Sequence, residues 1–585
     1  MRRFYTGHAR WLLATVVAGL GLLLMAPAPG AQSGAPIVTP STQVTKDIGP
    51  GRIHTLPQLL LHPTDPNVLV VFEAALHQSP ACTVHVSRDR GRTWATAPTK
   101  PVPPGYASCA RPNFGPFIAA RFGIDGTLFV ASTAAADSSN RGPTDPYVAR
   151  STDLGSTWEF SIIKKAEELN FPKPDGTTAR DFERYAYVRM AVHPTDPNRV
   201  YAGFRRQGAF EPVAQVSERS LVATSTDGGR TFGPPTDIFD QTFKLTEVKG
   251  SDAPAMAVDR DGTIYAFTKE RPPLSTTPGV TQDPLPTPEG PANLCKPASA
   301  HPDAKPWKPA PTTSTMPVAG QAGAGARLLM SRSTDDGKTW SAKAVDTTGS
   351  ICVPCLTTPE AALDPSTGTI YLAFEQSDSP PPGPRDNRDI YFMRSADGGE
   401  TWTPKTRLND DSIPTRNPNY DQMFPGITVA PNGRIDVAWW DFRTNALYNT
   451  AGNGNTTRRD QTCFDIFYTS STDGGQSWAP NTRISDRSMN QNEGYSMHLA
   501  YDVRGPVGVA SADDMAFIAW QDSRNGRVEL PTDDVYLATV VHDDDDGAEP
   551  AVKSSSVFLG LAIGLVVAGV AIAVASQMAR GRSGA

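Results

Sequence analysis

The chain has 585 residues, a formal charge of -7 and 39% hydrophobic residues, with 54 prolines and 49 glycines. That is the composition of a soluble globular body rich in turns. With no basic patch and no phosphate-cradling glycine loop, it argues against nucleic-acid or nucleotide binding. The length suggests three or four domains, unless repeats build one large one.

The chain opens with Arg2 and Arg3, followed by the apolar run WLLATVVAGLGLLLMA and the small residues PAPGAQSGA. This order reads as a secretory signal peptide over residues 1–31, an uncleaved anchor helix being the alternative. PIVTPSTQVT (36–45) precedes a first strand-like hairpin.

From there two patterns alternate. One is an apolar strand, a turn and a second strand: LLLHPTDPNVLVVFE, ARFGIDGTLFVAS, MAVHPTDPNRVYAGF, MAVDRDGTIYAF, AALDPSTGTIYLAFE, ITVAPNGRIDVAWWD and a last one ending DDMAFIAWQD. The other is a short box, S-x-D-x-G-x-[TS]-[WF], at 87–94, 151–158, 225–232, 333–340, 395–402 and 470–478. A third strand precedes each box, as in DIYFM and DIFYT. The box aspartates are Asp89, Asp153, Asp227, Asp335, Asp397 and Asp473. An aspartate in that place closes the turn on backbone N–H groups, the glycine allows positive φ, and the final aromatic anchors under a strand.

Seven hairpins against six boxes is the informative mismatch. Repeated small antiparallel sheets predict an all-β fold, a β-propeller over residues 32–541, each blade built of four strands with the box joining the third to the fourth. A blade whose fourth strand comes from elsewhere needs no box. The last unit has a third strand, DVYLATVV, and then a spacer. Residues 36–45 can supply its outer strand and tie the ring shut. Seven blades closed by the N-terminus is the favoured reading, six with an extra hairpin the alternative. A Pro-rich insertion runs from about 271 to 326.

Beyond the last unit lies HDDDDG, within an acidic linker over 542–555. Then comes VFLGLAIGLVVAGVAIAVAS, charge-free and long enough to cross a bilayer. A transmembrane helix over 556–577 is expected. Arg580 and Arg582 place the tail, 578–585, in the cytoplasm and the propeller outside.

The six cysteines, Cys82, Cys109, Cys295, Cys352, Cys355 and Cys463, fit an exported protein with disulfides. Cys82 and Cys109 are plausible partners, and the other pairings stay open. Cys352-Val-Pro-Cys355 lacks a second metal-binding pair, so neither a metal nor a cofactor is expected.

The boxes resemble the Asp-box, or bacterial neuraminidase repeat, of the sialidase superfamily, over roughly residues 50 to 540. The resemblance implies a site on the face opposite the boxes. There three arginines would bind a carboxylate, a tyrosine assisted by a glutamate would act as nucleophile, and an aspartate as acid/base. The chain departs from that pattern in its first unit. His54-Thr55-Leu56-Pro57 stands where Arg-Ile-Pro is usual, and FEAALHQSPACTVHV lacks the expected aspartate. Substitutes on the same face include Arg189, Arg205, Arg443 and Arg524, and the acids Glu73, Glu270, Glu375, Asp441 and Asp522. Tyr420 stands beside Asp421, and Glu493 near Tyr495. Tyr420, Glu493, Asp441, Arg189, Arg443 and Arg524 form the candidate catalytic set. The alternative for WWDFR and WQDSR is an ion pair or loop brace. Two functions follow: a monomeric exo-glycosidase of sialidase type acting on glycans, or a non-catalytic propeller binding a glycan or envelope partner.

Overall fold

A computed structural model describes residues 36–47, 52–75, 81–109, 118–135, 142–172, 175–207, 219–239, 250–251, 253–271, 295, 327–346, 350–351, 359–377, 388–411, 422–444, 463–490, 493–494, 505–527, 530 and 532–542. Contacts group Met1–Val541 into one unit and His542–Ala585 into another. The leader and the apolar segment 557–576 lie outside the described residues. Among those described, no helix is long and apolar enough to cross a membrane.

The described residues form an all-β fold of antiparallel meanders in chain order. The innermost strands are His54–Leu61, Ala119–Phe122, Arg184–Val192, Ala255–Val258, Glu360–Leu363, Gln422–Val429 and Gly508–Ser511. Each touches the innermost strands of the meanders before and after it, and the last touches the first. That ring of contacts defines a β-propeller. A single parallel bridge, Arg184 to Thr144, joins the second and third meanders at their edge.

Each sheet buries both faces, so its second strand is apolar at successive positions rather than alternate ones. In Leu69–Ala75, Leu69 and Val71 pack toward the last meander, while Val70, Phe72 and Ala74 pack toward the second. Trp439 and Trp440 do the same on the sixth meander, one in the joint with the fifth and the other in the joint with the seventh. Full burial of a side chain of this kind contributes about 1.5–3 kcal/mol. Apolar clusters fill every joint between consecutive meanders, including the one between seventh and first.

The six box turns share one hydrogen-bond scheme. In the fourth meander Ser333 Oγ donates to Asp335 Oδ1 at 2.9 Å, and the Gly337 N–H donates to Ser333 Oγ at 2.9 Å. The Thr339 N–H and hydroxyl donate to the two carboxylate oxygens at 2.9 and 2.7 Å. Gly337 sits at φ +78°, a conformation that a Cβ would strain. In each boxed sheet the box serine faces the first residue of the second strand: Leu69–Ser87, Leu128–Ser151, Val200–Ser225, Ile264–Ser333, Ile370–Ser395 and Ile435–Ser471. Antiparallel pairing therefore puts boxes and first turns at one end of every sheet, and the loops between second and third strands at the other.

The last meander, Gly508–Ser511, Met515–Asp522 and Asp534–Val541, takes its outer strand from the N-terminus. Ile37–Val38 pairs with Val541 and Val540, and Thr42–Gln43 with Leu537 and Tyr536. The register repeats that of two ordinary blades. The Val44 N–H donates to Val535 O, as Leu408 does to Ile390 and Ile484 to Ile466. Thr45 then caps Val535 N and Asp534, as Asn409 caps Ile390 and Asp389, and Ser485 caps Ile466 and Asp465.

Two features were not foreseen in the sequence. A separate two-stranded hairpin, Glu168–Pro172 with Thr178–Phe182, stands in the connection between the second and third meanders. And the innermost strands of the first, third and sixth meanders carry a bulge with a left-handed, bulky residue: Leu56, Tyr187 and Phe424, at φ +58°, +59° and +56°. Such residues cost on the order of 1–3 kcal/mol each and tend to gather at functional sites.

Candidate functional site: the loop face and the channel

The loop face and the innermost strands carry four groups of buried charge. The first lies on the first meander. His54 Nε2 is 2.7 Å from Asp47 Oδ1, and its Nδ1 is 3.1 Å from Glu73 Oε1. His85 Nε2 lies 3.4 Å from the same Glu73 oxygen, and its Nδ1 lies 3.1 Å from Thr96 Oγ1. Glu73 is fully buried. Burial works against charging His54, but the Glu73 charge and the hydrogen bond to Asp47 outweigh it and raise its pKa to about 10. The imidazolium thus occupies the place where the resemblance led one to expect an arginine.

The second group lies among the innermost strands. Arg189 Nη2 is 2.8 Å from Glu360 Oε1, an ion pair between the third and fifth meanders. Those two meanders are not neighbours, so the pair reaches past the fourth. Arg121, from the second meander, adds its charge to the same carboxylate. Burial pushes the Glu360 carboxyl up and the Arg121 guanidinium down, while their mutual attraction opposes both shifts.

The third group comprises Asp441 with Arg443 and Asp522 with Arg524, and the two pairs are near copies. Asp441 accepts from Trp439 Nε1 at 2.8 Å, from the Arg443 N–H at 2.8 Å and from Arg443 Nε at 2.9 Å. Asp522 accepts from Trp520 Nε1 at 2.8 Å, from the Arg524 N–H at 2.8 Å and from Arg524 Nη2 at 2.7 Å. Each arginine then reaches the connection leaving the preceding fourth strand, Asp410 for Arg443 and Asp486 for Arg524. The guanidinium carbon of each stands over an aromatic ring of its own third strand, Phe467 or Tyr536, 4.1 Å from the ring centre. Arg443, Arg524 and Arg189 therefore have separate acidic partners.

The fourth group is Glu375 with Arg388, 3.6 Å apart and both buried. Glu375 also accepts from the N–H of Phe424, the left-handed residue of the sixth meander, at 3.3 Å.

The remaining candidates fall elsewhere. Glu493 is buried, and its carbonyl accepts from the Thr532 N–H at 3.0 Å. Arg205 is buried with its guanidinium over the Tyr187 ring at 5.3 Å. Tyr420, Asp421 and Tyr495 lie outside the described residues, as does the Glu270 side chain. Two tyrosine–acid pairs escaped the sequence reading. Tyr185 donates to Glu183 at 2.8 Å, and Tyr106 to Asp145 at 2.5 Å. Tyr185 is packed against Phe204 in the joint with the second meander, which gives the first pair a bracing role.

Cys82 pairs with Cys109, and Cys295 with Cys463, which ties the Pro-rich insertion of the fourth meander to the third strand of the sixth. Cys352 and Cys355 lie outside the described residues. Asp47, His54 and Asp534 could group round a cation. Asp534, however, already takes Arg52 Nε and Nη2 at 2.8 Å each, which sets a guanidinium beside the place a cation would fill.

No protein-family profile matches the chain, and no curated protein does. Among solved structures it is similar to the Hadza microbial sialidase Hz136, with a TM-score of 0.38 and 14% identity, over 80% of this chain and 73% of that one. It is similar to the GH93 α-L-arabinofuranosidase of Fusarium graminearum, with a TM-score of 0.38 and 13% identity, over 75% and 96%. The phage phi92 endosialidase gives 0.40 and 10%, over 88% and 71%. At such values no residue of this chain is matched to a residue of theirs, and its site stands on its own geometry.

Proposed function

We propose that this chain is an exported, seven-bladed Asp-box propeller of sialidase type, held at the cell surface by residues 556–577, which binds a glycan over its loop face without cleaving it. The observation that carries this reading is the duplicated brace of Asp441–Arg443 and Asp522–Arg524. Each carboxylate is buried and already accepts an indole N–H, a backbone N–H and a guanidinium. A general acid or base has to exchange a proton with substrate, and a carboxylate so engaged would have to break its brace first. The arginines of the set, each held by its own acid, do not form one carboxylate clamp. Binding asks less of the site: Arg121, Arg189 and Glu360, two cations round one anion, give the channel a net positive centre suited to a polar or acidic sugar.

Hydrolysis by a sialidase-type exo-glycosidase is the competing reading, favoured by the six boxes. A glycan array and a panel of fluorogenic glycosides, both run on the purified folded chain, separate the two. The binding reading expects retention on the array with no fluorophore released. Saturable release from any glycoside would overturn it. The tether is tested by cell fractionation: the full chain should resist alkaline extraction and enter detergent.

A further inference from the structure

The box face carries a second candidate site, at the joint between the fourth and fifth meanders. At four other joints on this face a side chain docks directly on the next box. Thr99 Oγ1 donates to the carbonyls of Gly155 and Ser156 at 2.8 and 3.0 Å. Ser161 Oγ donates to Gly229 O at 2.9 Å, and Thr224 Oγ1 to Asp336 O at 2.7 Å. Arg394, the residue before the box serine of the fifth meander, donates to Gly474 O at 2.7 Å.

Arg332 holds the same place in the fourth meander, one residue before Ser333, yet it makes no such bond. Its Nη1 stands 3.9 Å from Glu400, and its buried Nε has no hydrogen-bond partner. The joint is spanned instead by a longer side chain. Lys343 Nζ reaches Glu400 Oε2 at 2.9 Å and the Glu400 carbonyl at 3.2 Å. Between them lies a hollow of about 290 Å³, lined also by half-buried Trp340 and by Thr334 and Ser341.

We propose that this hollow binds a single carboxylated sugar ring. The volume is at the small end for a small-molecule site, enough for one ring but not for a chain. Six of the lining groups have a matching feature on such a ligand. The Arg332 fork can take a carboxylate side-on. The indole of Trp340 offers an apolar surface to the C–H side of a sugar ring. The hydroxyls of Thr334 and Ser341, with the Lys343–Glu400 pair, can exchange hydrogen bonds with ring hydroxyls. Arg332 and Lys343 put two cations on the hollow against Glu400, with Asp261 also within electrostatic reach of Arg332, so the preference for an anion rests on the Arg332 fork. The site is independent of the loop-face reading, because it lies at the other end of the sheets.

The test is a titration of the full chain with D-glucuronate, D-glucose and inorganic phosphate, followed by ligand-observed NMR. D-glucuronate should bind saturably, and at least tenfold more tightly than either control. Arg332→Ala should weaken it tenfold or more, Arg332→Lys by less, and Glu400→Gln should tighten it. Thermal melting checks that each variant folds, and retention on the glycan array should be unchanged by Arg332→Ala. Absence of saturable D-glucuronate binding, equal binding of phosphate, or indifference to Arg332→Ala in a folded protein would each overturn the proposal.

Discussion

Thr45 Oγ1 donates to Asp534 Oδ1 at 3.1 Å, across 489 residues of chain, and the same hydroxyl accepts the Val535 N–H at 3.1 Å. It thereby does for the last sheet what Asn409 and Ser485 do for the fifth and sixth. Asp534 also holds Arg52 through both oxygens, so one buried carboxylate gathers both sides of the closing segment. Asp534→Ala leaves Arg52 without its counterion and should cost about 3–5 kcal/mol, as breaking a buried pair does. Thr45→Val removes both bonds of that hydroxyl and leaves the buried Val535 N–H without its acceptor, and should cost about 1–3 kcal/mol. Urea titration of the two single variants and the double should show them less than additive, since they share Asp534.

The box aspartates are held below the usual carboxylate range. Asp227 lies at about 2, chiefly through the Thr231 hydroxyl. Asp473 also lies at about 2, its slight burial outweighed by bonds from Ser477 and Ser471. A depressed folded pKa supplies stability above the unfolded value of 3.8, and that stability fades as pH falls through about 2. Asp473→Ala should lower the melting temperature at pH 6, and the gap from wild type should close between pH 4 and pH 2. Calorimetry across that range checks both the sign and the window.

His54 has the opposite dependence. Its folded pKa of about 10 lies above the ordinary 6.5, so its contribution is complete below pH 6.5 and disappears as pH rises through 10. His54→Gln leaves Glu73 buried without its strongest partner and should cost about 3–5 kcal/mol at pH 6. The difference in unfolding free energy between wild type and variant should shrink steadily from pH 7 to pH 10.

The cross-channel pair makes a similar claim about the axis. Glu360→Gln removes the anion shared by Arg189 and Arg121, leaving two buried guanidinium groups to repel each other. Denaturant titration should show a loss of about 3–5 kcal/mol, and Glu360→Gln with Arg189→Met together should recover part of it.

What could be read in the sequence was what local chemistry decides. A box is complete within eight residues, because its aspartate, serine and glycine bond to one another, so its six copies were visible as such. The closing strand followed from counting, since a sheet without a box must borrow its edge. The charged sites were harder, because their partners are distant in the chain. Nothing near Arg189 or Glu360 announces that they meet across the ring, and Arg121 was overlooked for that reason. Arg443 and Arg524 stood beside Asp441 and Asp522 in plain view, yet Asp410 and Asp486, which complete the braces, come from other loops. The Cys295–Cys463 link joins meanders that are not neighbours, and no spacing rule predicts it. The hairpin at 168–182 lies in the connection between the second and third meanders, outside the repeated strands and boxes.

A ring closed by the N-terminus requires the amino end to lie as a strand in the last sheet, and amide hydrogen exchange measures that directly. The Thr39 N–H donates to Thr539 O at 2.9 Å, and the Val44 N–H to Val535 O at 2.8 Å. If the ring is closed in this way, both amides exchange as slowly as those of Val535 to Val540. Exchange of Thr39 and Val44 at the rate of an open chain, with the last sheet still protected, would contradict it.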